Sequence, residues 1–227
     1  MINSTSTSEF SHFPVMLDEV IKVCSPSKGG IFVDCTFGGG GYSKKILTFS
    51  KTKVIALDRD KFILNIAKQL KKKYSKRFTF YQKKFSEVDT IIDKQLADVV
   101  IFDLGLSSIQ LNNLDRGFSF KSKKRLDMTM GLSKISAEEV VNNFSENQIK
   151  SIIRILGEEK DSSNIARNII KARLTKKIIK VDQLVDIINK SKKKNYISKI
   201  NPSTKTFQAL RIFVNKEVSE LVSGMIN

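Results

Sequence analysis

Ile31-Phe-Val-Asp34-Cys-Thr-Phe-Gly38-Gly-Gly-Gly41-Tyr-Ser43 reads as a buried strand running through a glycine turn into a helix. Its first three residues are continuously apolar, the pattern of a strand covered on both faces, and four glycines then lead straight into a helical pattern. Glycines let the backbone close on a ligand at a helix N-terminus, where unpaired amides and the helix dipole gather. A second apolar run, Lys53 to Leu57, ends in Asp58, twenty residues after Gly38, where a carboxylate can hydrogen-bond a ribose diol. Together these features specify a nucleoside-bearing ligand at the carboxyl edge of a parallel sheet.

Further strand-like runs occur at Phe78 to Tyr81 and Val99 to Phe102, alternating with helical patterns such as Lys61 to Leu70. This order predicts an α/β fold, a parallel sheet wound with helices. The fourth run ends in Ile101-Phe-Asp103-Leu-Gly-Leu-Ser-Ser108-Ile-Gln110, which places Asp103 and the polar groups after it in the ligand crevice. The character changes from about Asn112. Capping boxes at Ser136/Glu139 and Ser145/Gln148, and helical patterns at Asn164 to Leu174, Asp182 to Lys190 and Thr204 to Val222, predict a helical subdomain. The expected division is a disordered tail over 1–11, the ligand-binding core over 12–112, the inserted helices over 113–200 and a helix returning to the core over 201–227. Lys192-Lys-Lys-Asn is expected to be an exposed loop.

Two ligands suit the glycine turn, a dinucleotide and S-adenosylmethionine (SAM). The dinucleotide fingerprint has a third glycine where Ser43 stands, and no cation lies inside the turn to answer a pyrophosphate. Asp34 would oppose a phosphate but suits the cationic amino-acid end of SAM, so SAM is favoured. With His12 as the sole histidine, His-based triads, HExxH hydrolases and zinc deaminases are excluded, and no transition-metal site is expected. The two cysteines, Cys24 and Cys35, form no disulfide framework, which points to a reducing cytoplasm. No run approaches a membrane span. The 40 basic residues exceed 23 acidic ones and the excess sits late: residues 171–205 hold 11 basic and 2 acidic side chains, against 17 and 11 over residues 1–110. A polyanionic partner is the natural reading.

At this point a resemblance becomes specific. The strings His12-Phe-Pro-Val, Asp34-x-Thr-Phe-Gly-Gly-Gly-Gly, Asp58-Arg-Asp60, Asp103-Leu-Gly-x-Ser-Ser, Gln110-Leu, Arg116-Gly-Phe-Ser-Phe, Leu126-Asp-Met, Gly157-Glu-Glu and Thr206-Phe-Gln-Ala-Leu-Arg-Ile-x-Val-Asn215 stand in this order. In order and spacing they resemble the bacterial cytosine-N4 methyltransferases of small-subunit (16S-type) ribosomal RNA, the methyltransferase H or MraW-type family. The resemblance implies a Rossmann-like class I SAM-dependent methyltransferase with an inserted helical subdomain, and small-subunit ribosomal RNA or a ribosomal particle as partner. It places SAM contacts on Gly40, Gly41, Tyr42, Asp58, Phe85, Asp103 and Gln110, with Phe85 against adenine, and makes the inserted helices the RNA surface. Lys171, Arg173, Lys176 and Lys177 are the expected phosphate contacts there, and Asp103 is the candidate catalytic acceptor.

The sequence departs from the family pattern at Tyr42 (usually His), Ile109 (Pro), Thr129 (Arg) and Lys205 (Arg). Family members also continue past Asn227, supplying strands that would cover the sheet. The expectation is therefore a truncated sheet with an exposed apolar edge, and possible self-association through it. An RNA-binding remnant without SAM and, less favoured, a dinucleotide-dependent oxidoreductase are the competing readings.

Overall fold

The computed structural model describes residues 16–92, 96–192 and 200–226. The expected N-terminal tail, His12 and most of the Lys192-Lys-Lys-Asn loop lie outside them. Among the described residues four parallel strands form one sheet: β1 (Gly30–Asp34), β2 (Thr52–Leu57), β3 (Phe78–Tyr81) and β4 (Val99–Ile101), in spatial order β3-β2-β1-β4. β1 is central, with Phe32 opposite Val54 on one side and Val99 on the other. Its successive residues serve opposite faces. Phe32 joins the core with Ile46, Ala67 and Phe78, and Val33 joins the one with Leu57 and Ile92, which is why this strand reads as unbroken apolar sequence.

Among the described residues the helices near the sheet are α1 (Leu17–Cys24), α2 (Gly41–Ile46), α3 (Leu64–Lys73) and α4 (Ser108–Asn112). The expected helix from Lys61 begins instead as a 3-10 turn, Lys61–Ile63, because the Asp60 carboxylate accepts the Phe62 amide and tightens the entry. A helical layer follows: α5 (Ala137–Asn143), α6 (Glu146–Gly157), α7 (Ser162–Thr175), α8 (Val181–Ser191) and α9 (Thr204–Val214), then α10 (Glu217–Ile226). Both anticipated capping boxes form, at the starts of α5 and α6. This layer has its own core, with Ile149, Ile153, Ile165, Ile169, Leu184 and Leu210 fully buried, each contributing roughly 1.5–3 kcal/mol.

The run Thr204 to Val222, expected as one helix, is two. α9 packs on α6 within the helical core, whereas α10 crosses to the sheet and lies on the 3-10 segment Phe85–Thr90. The break falls at Asn215, whose side chain leaves the helix pattern to bind elsewhere, and Lys216 takes a left-handed backbone (φ 52°). Asn215 Oδ1 accepts the Met130 amide (2.8 Å) and the Ser133 hydroxyl (2.6 Å), and its Nδ2 donates to the Met128 carbonyl (2.8 Å). The Asn215 carbonyl in turn receives Arg59 Nη1 from the end of β2 (2.7 Å). Sheet and helices are thus locked together at one fully buried side chain.

β4 pairs only with β1 among the described residues, and Val100 on it is 47% exposed.

Replacing Asn215 by Ala strips partners from the Met130 amide and Met128 carbonyl without admitting water. Equilibrium urea unfolding should show a loss of about 2–4 kcal/mol, where an ordinary helix-surface Asn→Ala change costs well under one.

Candidate active site

A cavity of about 320 Å³ opens at the carboxyl ends of β1, β2 and β4. The turn after β1 contributes Gly38, Gly39, Gly41 and Tyr42, and β2 contributes Asp58 and Arg59. The segment after β3 adds Lys84 and Phe85, and the one after β4 adds Asp103, Gly105 and Gln110. The far wall comes from the helical layer: Met130, Ile212, Glu217, Val218 and Leu221. Of the seven expected cofactor positions, six line this one cavity. Gly40 does not.

Gly40 serves the turn itself. It sits at φ 75°, and a Cβ there would lie 2.8 Å from the Phe37 ring, so a side chain would point into the core rather than toward the cavity. A branched residue at position 40 would therefore distort the turn.

Asp34 is corrected too. It is fully buried, is absent from the cavity lining, and accepts hydrogen bonds from the Ser43 hydroxyl (2.6 Å) and the Thr36 amide (3.2 Å). It braces the turn from behind instead of facing a cationic ligand, and Ser43, read as a missing third glycine, is its partner. Burial pushes the Asp34 carboxyl up to about 6. The Thr36 hydroxyl accepts the Asp103 amide (2.7 Å), tying the ends of β1 and β4.

Asp58 holds the turn from the front. One carboxylate oxygen accepts the Gly38 amide and the other the Asp60 amide, each at 2.8 Å. A carboxylate offers about four lone-pair sites, so acceptor capacity remains toward the cavity. Burial pushes this group up to about 6 as well. Gln110 is spoken for: its Oε1 accepts the Ser107 amide (3.0 Å) and its Nε2 donates to Asp60 (2.8 Å), which also pairs with Arg116 (2.5 Å). The Tyr42 phenol is raised by burial and then by the charge of Asp103, whose own side chain is exposed. Phe85 stands edge-on to Phe102, ring centres 5.6 Å apart.

Sequence reasoning missed the far wall. Arg59 lay in a quoted motif, but nothing in it announced that its guanidinium would reach Met130, Ser133 and Asn215. Val218 and Leu221 sit on α10, held to the sheet by Lys84–Glu220 (2.9 Å) and to α9 by Arg211–Glu217 (2.8 Å). Three of the four expected phosphate contacts, Lys171, Lys176 and Lys177, are exposed. Arg173 is corrected: it donates to the carbonyls of Val141 (3.0 Å) and Phe144 (2.6 Å), closing the end of α5.

A parallel sheet flanked by helices, with a glycine turn and an acid at the end of the next strand sharing a cavity, defines a Rossmann-like fold of the class I methyltransferase type. The chain belongs to the MraW methylase family, whose model matches residues 9–226. Among its relatives are three proteins named ribosomal RNA small subunit methyltransferase H. That of Rickettsia akari is 42% identical over 220 residues, covering 96% of this chain and 71% of the relative. That of Neorickettsia sennetsu is 40% identical over 225 residues, covering 99% and 76%, and that of Orientia tsutsugamushi is 43% identical over 217 residues, covering 92% and 69%.

The buried Asp34 titrates near 6 when folded and near 4 when unfolded. Its contribution is thus greatest below pH 4 and is lost as pH rises through 6, by roughly 3 kcal/mol. Asp34→Asn keeps an acceptor for Ser43 but cannot ionise. Urea unfolding at pH 4.5 and 7.5 should therefore show a smaller fall in stability toward neutral pH in the variant than in the parent.

Proposed function

We propose that this chain transfers a methyl group from SAM to the exocyclic N4 of a cytosine in the decoding region of small-subunit ribosomal RNA, in the cytoplasm. The observation that carries the reading is the convergence of Gly41, Tyr42, Asp58, Phe85, Asp103 and Gln110 on one cavity, in a chain about 40% identical to methyltransferases named for that RNA.

The cavity suits SAM in shape and charge. Asp58 retains acceptor sites for the ribose hydroxyls, Phe85 offers an aromatic face for adenine, and Asp103 is an exposed carboxylate for the cationic tail or the reacting amine. A Cβ at Gly105 would meet nothing within 4 Å, so the backbone beside Asp103 borders open space a ligand can fill. When bound, SAM supplies an already activated methyl group, and the protein's task is placement.

The chain's own groups handle the nucleophile. A cytosine amine is weak because its lone pair is conjugated with the ring, and Asp103 as hydrogen-bond acceptor for N4–H favours the pyramidal nitrogen and receives the developing positive charge. The base leaves its stack to enter the crevice, at a cost of a few kcal/mol. Met130, Ile212 and Val218 form an apolar wall against which its flat faces can lie. Lys171, Lys176 and Lys177 serve as phosphate contacts. Arg173, committed to α5, does not.

Calorimetric titration with SAM tests the cofactor site. Asp58→Ala should weaken SAM by about 1–3 kcal/mol, and parent affinity should fall as pH drops below about 6, where the Asp58 carboxyl takes up a proton. Absence of SAM binding by the parent would leave only an RNA-binding protein. Asp103→Ala should slow single-turnover methyl transfer on the order of a hundredfold.

A further inference from the structure

Two segments far apart in sequence, Lys121-Ser-Lys-Lys-Arg125 and Lys176-Lys-Ile-Ile-Lys180, lie side by side. Arg125 and Lys180 form an antiparallel bridge, the Leu126 amide donates to the Ile179 carbonyl (2.8 Å), and the Val181 amide donates to the Lys124 carbonyl (3.0 Å). The first segment carries four cations and the second three, and neither carries an acid. Ser122 and Ile178 turn inward, the Ser122 hydroxyl donating to the Leu114 carbonyl (2.6 Å), and all seven cations are exposed.

The acids around this ridge do not neutralise it. Asp115 lies 3.3 Å from Lys124 and Glu138 lies 2.7 Å from Arg125. Nearby Asp182 accepts the Gln183 amide, and Glu139 accepts the Ser136 amide and hydroxyl. Among the described residues no acid forms an ion pair with Lys121, Lys123, Lys176, Lys177 or Lys180. Like charges set opposite each other across a strand pair oppose folding. The ridge is pinned together against that repulsion, which a polyanion laid along it would relieve.

The geometry points to this ridge as a phosphate-tracking surface that seats the backbone of the RNA substrate; the identity of the polyanion rests on the methyltransferase reading above. It extends the expected basic surface of Lys171, Lys176 and Lys177 to a second, unanticipated segment. It is also near the chemistry. Lys124 precedes the cavity residue Met130 by six positions, a stretch that spans at most roughly 20 Å. A single RNA strand can therefore contact the ridge while presenting a base to the cavity.

The test compares a ridge variant, Lys123→Glu/Lys177→Glu/Lys180→Glu, with a control of equal charge change, Lys68→Glu/Lys72→Glu/Lys76→Glu, whose three lysines are exposed on and just after α3. A neutral ridge variant with Gln at the same three positions guards against misfolding, and thermal melts check all of them. Binding of transcribed small-subunit ribosomal RNA is measured across salt concentrations, and SAM binding by calorimetry. The ridge variants should lose at least tenfold in RNA affinity, with the slope of log K against log salt flatter by about two units for three lost contacts. The control should keep the parent slope and SAM affinity should not change. Equal slopes for ridge and control variants would overturn the ridge. A parent that binds RNA with a ridge-dependent slope but never binds SAM would instead overturn the methyltransferase reading and leave the ridge standing.

Discussion

The guanidinium of Arg59 is the interaction on which the rest of the molecule hangs. It leaves water at the end of β2 and gives its hydrogen bonds to Met130, Ser133 and Asn215, groups that belong to the helical layer. Burial lowers its affinity for a proton, but Arg titrates so far above neutral that the charge persists, with Glu220, Glu217, Asp58 and Asp60 around it as counter-charges. Removing either side of such a buried arrangement leaves an uncompensated group, so sheet and helices hold their relative positions or neither is well formed. The cavity lies across that junction, and its shape is fixed by it.

The cavity floor shows the same economy. Asp34 and Asp58 grip one glycine turn from opposite sides, the first through Ser43 and Thr36, the second through Gly38. Both carboxylates are desolvated, and that cost is partly offset by amides and a hydroxyl that would otherwise be unsatisfied. The result is a rigid turn whose backbone is already in place before a ligand arrives, which favours affinity by reducing what must be ordered on binding.

The strands were legible in the sequence to within a residue or so, because each is a short apolar run bounded by turn residues. The capping boxes at Ser136 and Ser145 were legible because their chemistry is local. What sequence could not convey was direction. An acid before a glycine turn can face the ligand or the core, and Asp34 takes the core because Ser43 waits there. An arginine in a basic helix can face solvent or a neighbouring helix end, and Arg173 takes the carbonyls of Val141 and Phe144. The apolar period from Thr204 to Val222 runs on unbroken, so the interruption at Asn215 was invisible: its cause lies in Met128, Met130 and Ser133, some eighty residues away. The far wall of the cavity was hidden for the same reason.

Asp58, Arg59 and Asp60 follow directly on β2, and each points to a different neighbour: the glycine turn, the helical layer, and the Gln110–Arg116 pair. Substitutions in such a triplet weaken one link at a time. A single-residue deletion upstream in β2 would instead shift the whole frame. It would set a carboxylate against the carbonyls of Met130 and Asn215 and a guanidinium against the glycine amides, reversing attraction at all three places at once. Length variation in this fold is therefore barred from the end of β2, whatever freedom its surface loops enjoy.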